Sequence, residues 1–158
     1  MDGPPPARWD RAMRLVRKAE YEAVYHYGNA VRRGDGEVAG RSGGEPGGTR
    51  AGGRLRSPQF VVFYCANGIG RSRFGISVKK ALGGAVVRNR IRRRIREILR
   101  RNYLEIPSGW DMVMHPRRSV AGSEFASLQA ELIGLLRTIP PAAAQPGSTS
   151  LGATSLGR

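Results

Sequence analysis

Eight arginines fall among the fourteen residues from Arg88 to Arg101, and Glu97 is the sole acid there. A guanidinium stays charged at any physiological pH and can grip a phosphate through two parallel hydrogen bonds. On a helix spanning 85–102, Val87, Ile91, Ile95 and Ile98 share one apolar stripe, with Leu99 beside it. Arg90, Arg92, Arg93, Arg94, Arg96, Arg100 and Arg101 then cover the remaining surface. Like charges at helical spacing cost about 0.2–0.5 kcal/mol per pair, and Glu97 offsets only part of that. The cost makes sense on a face that phosphates neutralise, whereas a merely solvated face mixes both signs. Asn89 stands between Arg88 and Arg90. Its amide both donates and accepts hydrogen bonds and so suits a base edge or a ribose hydroxyl, with capping or plain exposure as the alternatives.

Other chemistry is sparse. His26 and His115 are the only histidines and lie far apart in the chain. His115 and Asp111, on one expected strand, read as structural. The carboxylates are few and mostly isolated, and no metal-ligand spacing, phosphate-binding glycine loop or nucleophile motif is present. No catalytic residue and no metal ligand is therefore assigned to the protein. Cys65 lies in an apolar run and reads as a buried, inert thiol, which makes the cytoplasm the default compartment. No apolar run is long enough to span a bilayer, and the first residues lack the apolar core of a secretory signal. The net charge of +15 and pI of about 11.5 call for a polyanionic partner, either nucleic acid or an anionic membrane surface. The 24 arginines against three lysines carry less weight, because coding bias explains them equally well.

The elements that must hold these residues fit one domain with tails in 158 residues. Residues 1–7 and 140–158 read as disordered, and the domain as 8–139. Residues 8–27 predict a helix with Val16, Tyr21, Val24 and Tyr25 on one face and Gly28 as its stop. By spacing alone the two tyrosines are core packing. Residues 29–57 are glycine- and arginine-rich and read as a flexible insertion. Residues 59–66 predict a strand, 67–70 a turn, and 71–80 a second strand paired with the first as an antiparallel hairpin. In that second strand Phe74, Ile76 and Val78 alternate with Arg73, Gly75, Ser77 and Lys79. A further strand is expected over 109–117, and a last helix over 123–138 with Ser123 as its N-cap and Phe125, Leu128, Leu132, Leu135 and Leu136 as its stripe. The sum is an α+β sandwich of helices on a small sheet, in which a generic parallel crossover is right-handed.

The stretch "GISVKKALGGAVVRNRIRRRIREILR" resembles the signature of the bacterial ribonuclease P protein component. In that family an Arg-Asn-Arg motif opens a basic helix after a strand bearing Ser-Val and lysine. Here the match is Arg88-Asn89-Arg90, with Lys80 and Gly83-Gly84 upstream. "RLVRKAEYEAVYHYG", "PQFVVFY", "DMVMHPR" and the last helix resemble the family more loosely, so the likeness covers roughly 11–28 and 58–137. The resemblance implies an αβββαβα fold with a left-handed βαβ crossover. It implies a protein that helps a catalytic RNA remove the 5′ leader of precursor tRNA. The partners are then ribonuclease P RNA and precursor tRNA, with no membrane and no protein partner. The holoenzyme uses Mg2+, and the protein alone binds no cofactor.

Carried over by motif, Arg88, Asn89, Arg90, Arg92, Arg93, Arg96 and Lys80 face the catalytic RNA. Tyr21, Tyr25, Phe63 and Ser77 receive the leader, with Arg14 and Arg17 flanking. The sequence departs from the family in three ways: Ala81 stands where many relatives carry a second lysine, the 29–57 stretch is long, and the family's short third strand is not separable. Two other functions suit the residues. One is a noncatalytic ribosomal or RNA-assembly protein. The other is a DNA major-groove binder, although no helix-turn-helix precedes the arginine helix.

Overall fold

A computed structural model describes residues 6–30 and 52–140. The 1–5 and 141–158 parts of the tails expected at 1–7 and 140–158, and the 31–51 part of the expected insertion, lie outside the described residues. The order is α1 (Lys18–Ala30), β1 (Gly52–Arg56), β2 (Phe60–Ala66), β3 (Arg73–Ile76), α2 (Ala85–Arg101), β4 (Trp110–Pro116) and α3 (Phe125–Leu136). This is the expected αβββαβα order. The sheet order is β1-β2-β4-β3, with β3 and β4 parallel and the other pairs antiparallel. The basic helix α2 is therefore the connection between the two parallel strands.

The expected hairpin of 59–66 with 71–80 does not form, because β4 lies between its two strands. Residues Trp110 to Met114 are buried on both faces of β4, and a strand covered on both sides takes a central place. β3 is shorter than expected and keeps Arg73 half-buried at the sheet edge.

The expected insertion also gives way at both ends. Helix α1 continues through Gly28 to Ala30, and residues 52–56 are strand β1. Its glycines look like linker by composition but are demanded by space. A Cβ on Gly53 would lie 2.5 Å from the Tyr64 hydroxyl oxygen. Gly28 is a packing residue, since a Cβ there would lie 2.9 Å from Phe63 Cδ1.

Before α1 the chain is not helical as expected from residue 8. A 3-10 turn at Arg11–Met13 leads to extended Arg14, which bridges Phe74, and the Leu15 N–H donates to the Phe74 carbonyl at 2.9 Å. This run adds to the edge of β3 in place of a helical turn, and Val16 is left exposed. Ser123 does not cap α3. Glu124 holds the N-cap position without a side-chain bond, and Ser123 Oγ turns to Gln59 Oε1 and the Ser119 carbonyl.

Alternation along the strands sorts residues onto two faces. Phe60, Val62, Tyr64, Phe74, Met112 and Met114 meet Ile91, Ile95, Ile98 and Leu99 of α2 and Leu128, Leu132 and Leu136 of α3. Those four α2 side chains are fully buried, at roughly 1.5–3 kcal/mol each, which outweighs the arginine repulsion. Val87, expected on the same stripe, is partly exposed near the start of α2. On the other face Val24 of α1 and Leu15 from the run before it cover Cys65 and Val113, so the thiol is buried. Among the described residues no helix is long and apolar enough to cross a membrane.

Candidate nucleic-acid interface

Helix α1 is fixed at its start by a charged network. Glu20 Oε2 accepts the N–H groups of Val16 at 2.7 Å and Arg17 at 2.8 Å, satisfying donors that open the helix. Its other oxygen accepts from Arg73 at 2.9 Å, and Arg73 also makes a bidentate pair with Asp111 at 2.9 and 2.7 Å. Asn67 adds a bond to Asp111 at 2.9 Å. Burial alone would raise the Glu20 carboxyl pKa, but the Arg17 and Val16 N–H groups and Arg73 override it and hold it below the usual range. The Asp111 hydrogen bond, against the opposing pull of burial, raises the pKa of Arg73.

This anchor places Tyr21 and Tyr25, one turn apart on α1, above the sheet. Tyr25 stands edge-on to Phe63 of β2, with centroids 5.2 Å apart at 79°. His115 of β4 completes a group of three rings, 5.5 Å from Tyr25 and 5.3 Å from Phe63. The Tyr25 hydroxyl lies 2.9 Å from His115 Nε2. Ser77 is held by its N–H donating to the Met114 carbonyl at 2.9 Å. The Arg54 guanidinium lies over the Phe63 ring at 5.7 Å, within cation–π range. Burial raises the phenol pKa of both tyrosines, so both stay protonated.

Tyr21 leads towards α2. Trp9, Arg14, Tyr21, Phe74, Arg92 and Arg96 line one cleft of about 150 Å³. Burial first, then repulsion from Arg14 and Arg92, lowers the Arg96 pKa. The two sets of residues expected on separate surfaces thus meet here, Arg14 and Tyr21 from one and Arg92 and Arg96 from the other. Arg93 continues the surface in a neighbouring groove that it shares with Trp9, Arg96 and Arg100.

The arginines of α2 divide by role. Arg94 donates to the Ser123 carbonyl at 2.7 Å, and Arg100 and Arg101 both pair with Glu97. The Arg100 hydrogen bond, against burial and helped by Arg101, holds the Glu97 pKa down at about 2. Among the described residues no carboxylate pairs with Arg88, Arg90, Arg92, Arg93 or Arg96. Asn89 and Arg90 are exposed and Arg88 is half-buried. Asn89 Oδ1 accepts from Arg92 at 3.1 Å. Lys80 is exposed in the 3-10 turn Lys80–Leu82 that leads into α2, and Arg17 is exposed at the start of α1.

Several participants escape a reading of the sequence. His115 reads as structural there, although alternation along β4 already puts it on the Val113 face. Arg54 falls in the stretch that reads as linker. Glu20, Arg73 and Asp111 are distant in the chain and carry no shared motif. No group of three or more His, Cys, Asp or Glu side chains that could hold a metal ion occurs among the described residues.

The sequence model of the family described as Ribonuclease P matches residues 49–140. The "Ribonuclease P protein component" of Thermotoga maritima is 39% identical over 89 residues, 54% of this chain and 76% of that protein. Its counterpart from Carboxydothermus hydrogenoformans is 41% identical over 85 residues, 52% and 73% of the two chains. The solved RNase P protein from Thermotoga maritima superposes with a TM-score of 0.62 at 29% identity, covering 80% of this chain and 97% of that one.

Proposed function

Because the chain belongs to the ribonuclease P protein family, we infer that it is the protein subunit of an endoribonuclease whose RNA partner, ribonuclease P RNA, carries the catalysis. The observation that supports this most directly is the division of α2. Arg94, Arg100 and Arg101 are spent inside the protein. Arg88, Arg90, Arg92, Arg93 and Arg96 have no carboxylate partner among the described residues, and their repulsion falls when phosphates sit against them. In this reading these residues, Asn89 and Lys80 bind the catalytic RNA.

The cleft beside α1 takes the 5′ leader of precursor tRNA. Unpaired leader bases stack on Tyr25 and Phe63, at about 1–3 kcal/mol per base, and Ser77 contacts the leader beside them. The backbone then passes Tyr21 towards Arg14 and Arg17. Arg14, Arg92 and Arg96 share one cleft, so a leader lying there is adjacent to the RNA-binding helix. The protein acts by positioning and by lowering repulsion between the phosphates of the two RNAs. Mg2+ supplies Lewis-acid and water-activating chemistry from a site built mainly of RNA. We place the assembly in the cytoplasm.

A cleavage assay tests this reading. The protein, the cognate ribonuclease P RNA and a leader-bearing precursor tRNA are combined at low magnesium and moderate salt, beside RNA-alone and protein-alone controls. Efficient cleavage at the mature 5′ end only in the combination is the expected result. A protein that binds the RNA yet leaves its cleavage unchanged would point instead to a noncatalytic RNA-assembly role.

A further inference from the structure

We propose that His115 is a positioning residue for leader binding, fixing through its hydrogen bond the Tyr25 ring on which an unpaired leader base stacks. The inference rests on the leader-cleft reading above and assigns a role to a histidine that packing alone does not explain.

Tyr25, Phe63 and His115 come from three separate elements, α1, β2 and β4; Phe63 stands edge-on to both other rings, and Tyr25 and His115 are tilted at 53°. Packing of that kind fixes where the rings sit. It leaves a half-exposed tyrosine able to swing about its side-chain torsions. The 2.9 Å contact from the Tyr25 hydroxyl to His115 Nε2 ties down the far end of that ring. A ring already held in its stacking orientation loses less freedom when a base arrives.

The surroundings keep the imidazole neutral, and so able to accept. Burial, then the charge of Lys79, pushes its pKa below the ordinary histidine value. Arg54, over Phe63 from β1, is a further cation on this face. Val113, its neighbour two residues back on the same face, is buried beneath α1. At residue 115 a hydrocarbon would fill the same place between the rings, but only a group with a ring or amide heteroatom can hold the hydroxyl.

The test uses the assembled holoenzyme and reads the ratio of the Kd for mature tRNA to that for precursor tRNA. The variants are Tyr25→Phe, His115→Phe, their double, and His115→Gln, whose amide can reach the hydroxyl. Each single phenylalanine variant is expected to lower the ratio about 2- to 10-fold, the worth of one net hydrogen bond. The double should lower it no further than either single, and His115→Gln should recover part of the loss. Affinity for mature tRNA and for the catalytic RNA should stay as in the wild type. An unchanged ratio in His115→Phe overturns the inference, whether or not its Tm falls. So does a double variant whose loss is the product of the two singles. A wild-type holoenzyme that does not discriminate between the two tRNAs overturns the leader-cleft reading itself, and this inference with it.

Discussion

Tyr21 lies against Gly75 so closely that a Cβ on Gly75 would sit 2.6 Å from Tyr21 Cε1 and 2.7 Å from its hydroxyl oxygen. The flat backbone of β3 is the seat of this ring. Gly75→Ala must lift Tyr21 off the sheet and towards Arg92 and Arg96. The overpacking costs about 1–3 kcal/mol, which a denaturant titration measures. Binding of precursor tRNA should weaken on the order of ten-fold, equivalent to ~1.4 kcal/mol, while mature tRNA binding holds. Equal weakening of both would remove Tyr21 from the leader cleft.

Asp111 is the buried half of the Arg73 pair, with 7% of its side chain exposed. Removing one partner of such a pair leaves the other charge without its main compensation. Asp111→Ala should lower the unfolding free energy by about 3 kcal/mol, with Glu20 retaining part of the Arg73 charge. Because the same network sets the start of α1, leader-dependent binding should fall even at temperatures where the variant is folded. Circular dichroism melts and precursor binding on the same samples check both halves.

Glu97 gives a pH test. Its carboxyl titrates at about 2 in the folded protein against 4.5 ordinarily. The folded state thus holds fewer protons than the unfolded state between those values, so the stabilisation is full above 4.5 and is lost as pH falls towards 2. Glu97→Gln should lower Tm at pH 7 and converge with the wild type near pH 2. Since Glu97 and Arg101 are partly exposed, salt should shrink the pH 7 difference. Parallel melting curves across this range would show that Glu97 does not hold the end of α2.

Two arginines four residues apart should behave oppositely. Arg90 is exposed, whereas Arg94 donates to the Ser123 carbonyl. Arg90→Ala should weaken assembly with the catalytic RNA and reduce the slope of log affinity against log salt by about 1. Arg94→Ala should act mainly on Tm, through the tie between α2 and the approach to α3. Asn89→Ala should weaken assembly with a smaller effect on the salt slope, because an amide displaces no counterion. Filter binding over a salt series separates the three.

The basic helix was legible in the sequence because charge and a 3.6-residue apolar period coincide there. Residues 85–102 predict almost the helix observed, Ala85–Arg101. Strand pairing was not legible. The Asn-Gly turn after β2 is a good local hairpin signal, but the two-sided burial of β4 outweighs it. β1 was hidden because its glycines report contacts with Tyr27 and Tyr64, which a linear reading cannot see. The start of α1 was misplaced for a related reason, since Arg14 and Leu15 follow the edge of β3. Tyr21, Tyr25 and Phe63 pack against one cluster on the α1 face of the sheet. His115 carries no local signal for its place beside Tyr25 until β4 is laid against β2.

That placement bears on how the chain is made. β1 and β2 are joined by three residues and can pair as soon as both exist, with the Ser57 N–H bonded to the Phe60 carbonyl. β2 must then wait for residues 110–116 to fill its other edge. Synthesis runs from the N-terminus, so α1, β2 and the whole arginine helix precede β4. Until β4 is added, β2 offers an open row of backbone donors and acceptors, which invites pairing with another chain. Asp111 and His115 arrive together on this one late strand, so the anchor of α1 and the third ring beside Tyr25 are completed in a single step. A nascent chain halted before residue 110 would carry the arginine-rich helix with neither the three-ring group around Tyr25 nor a protected sheet.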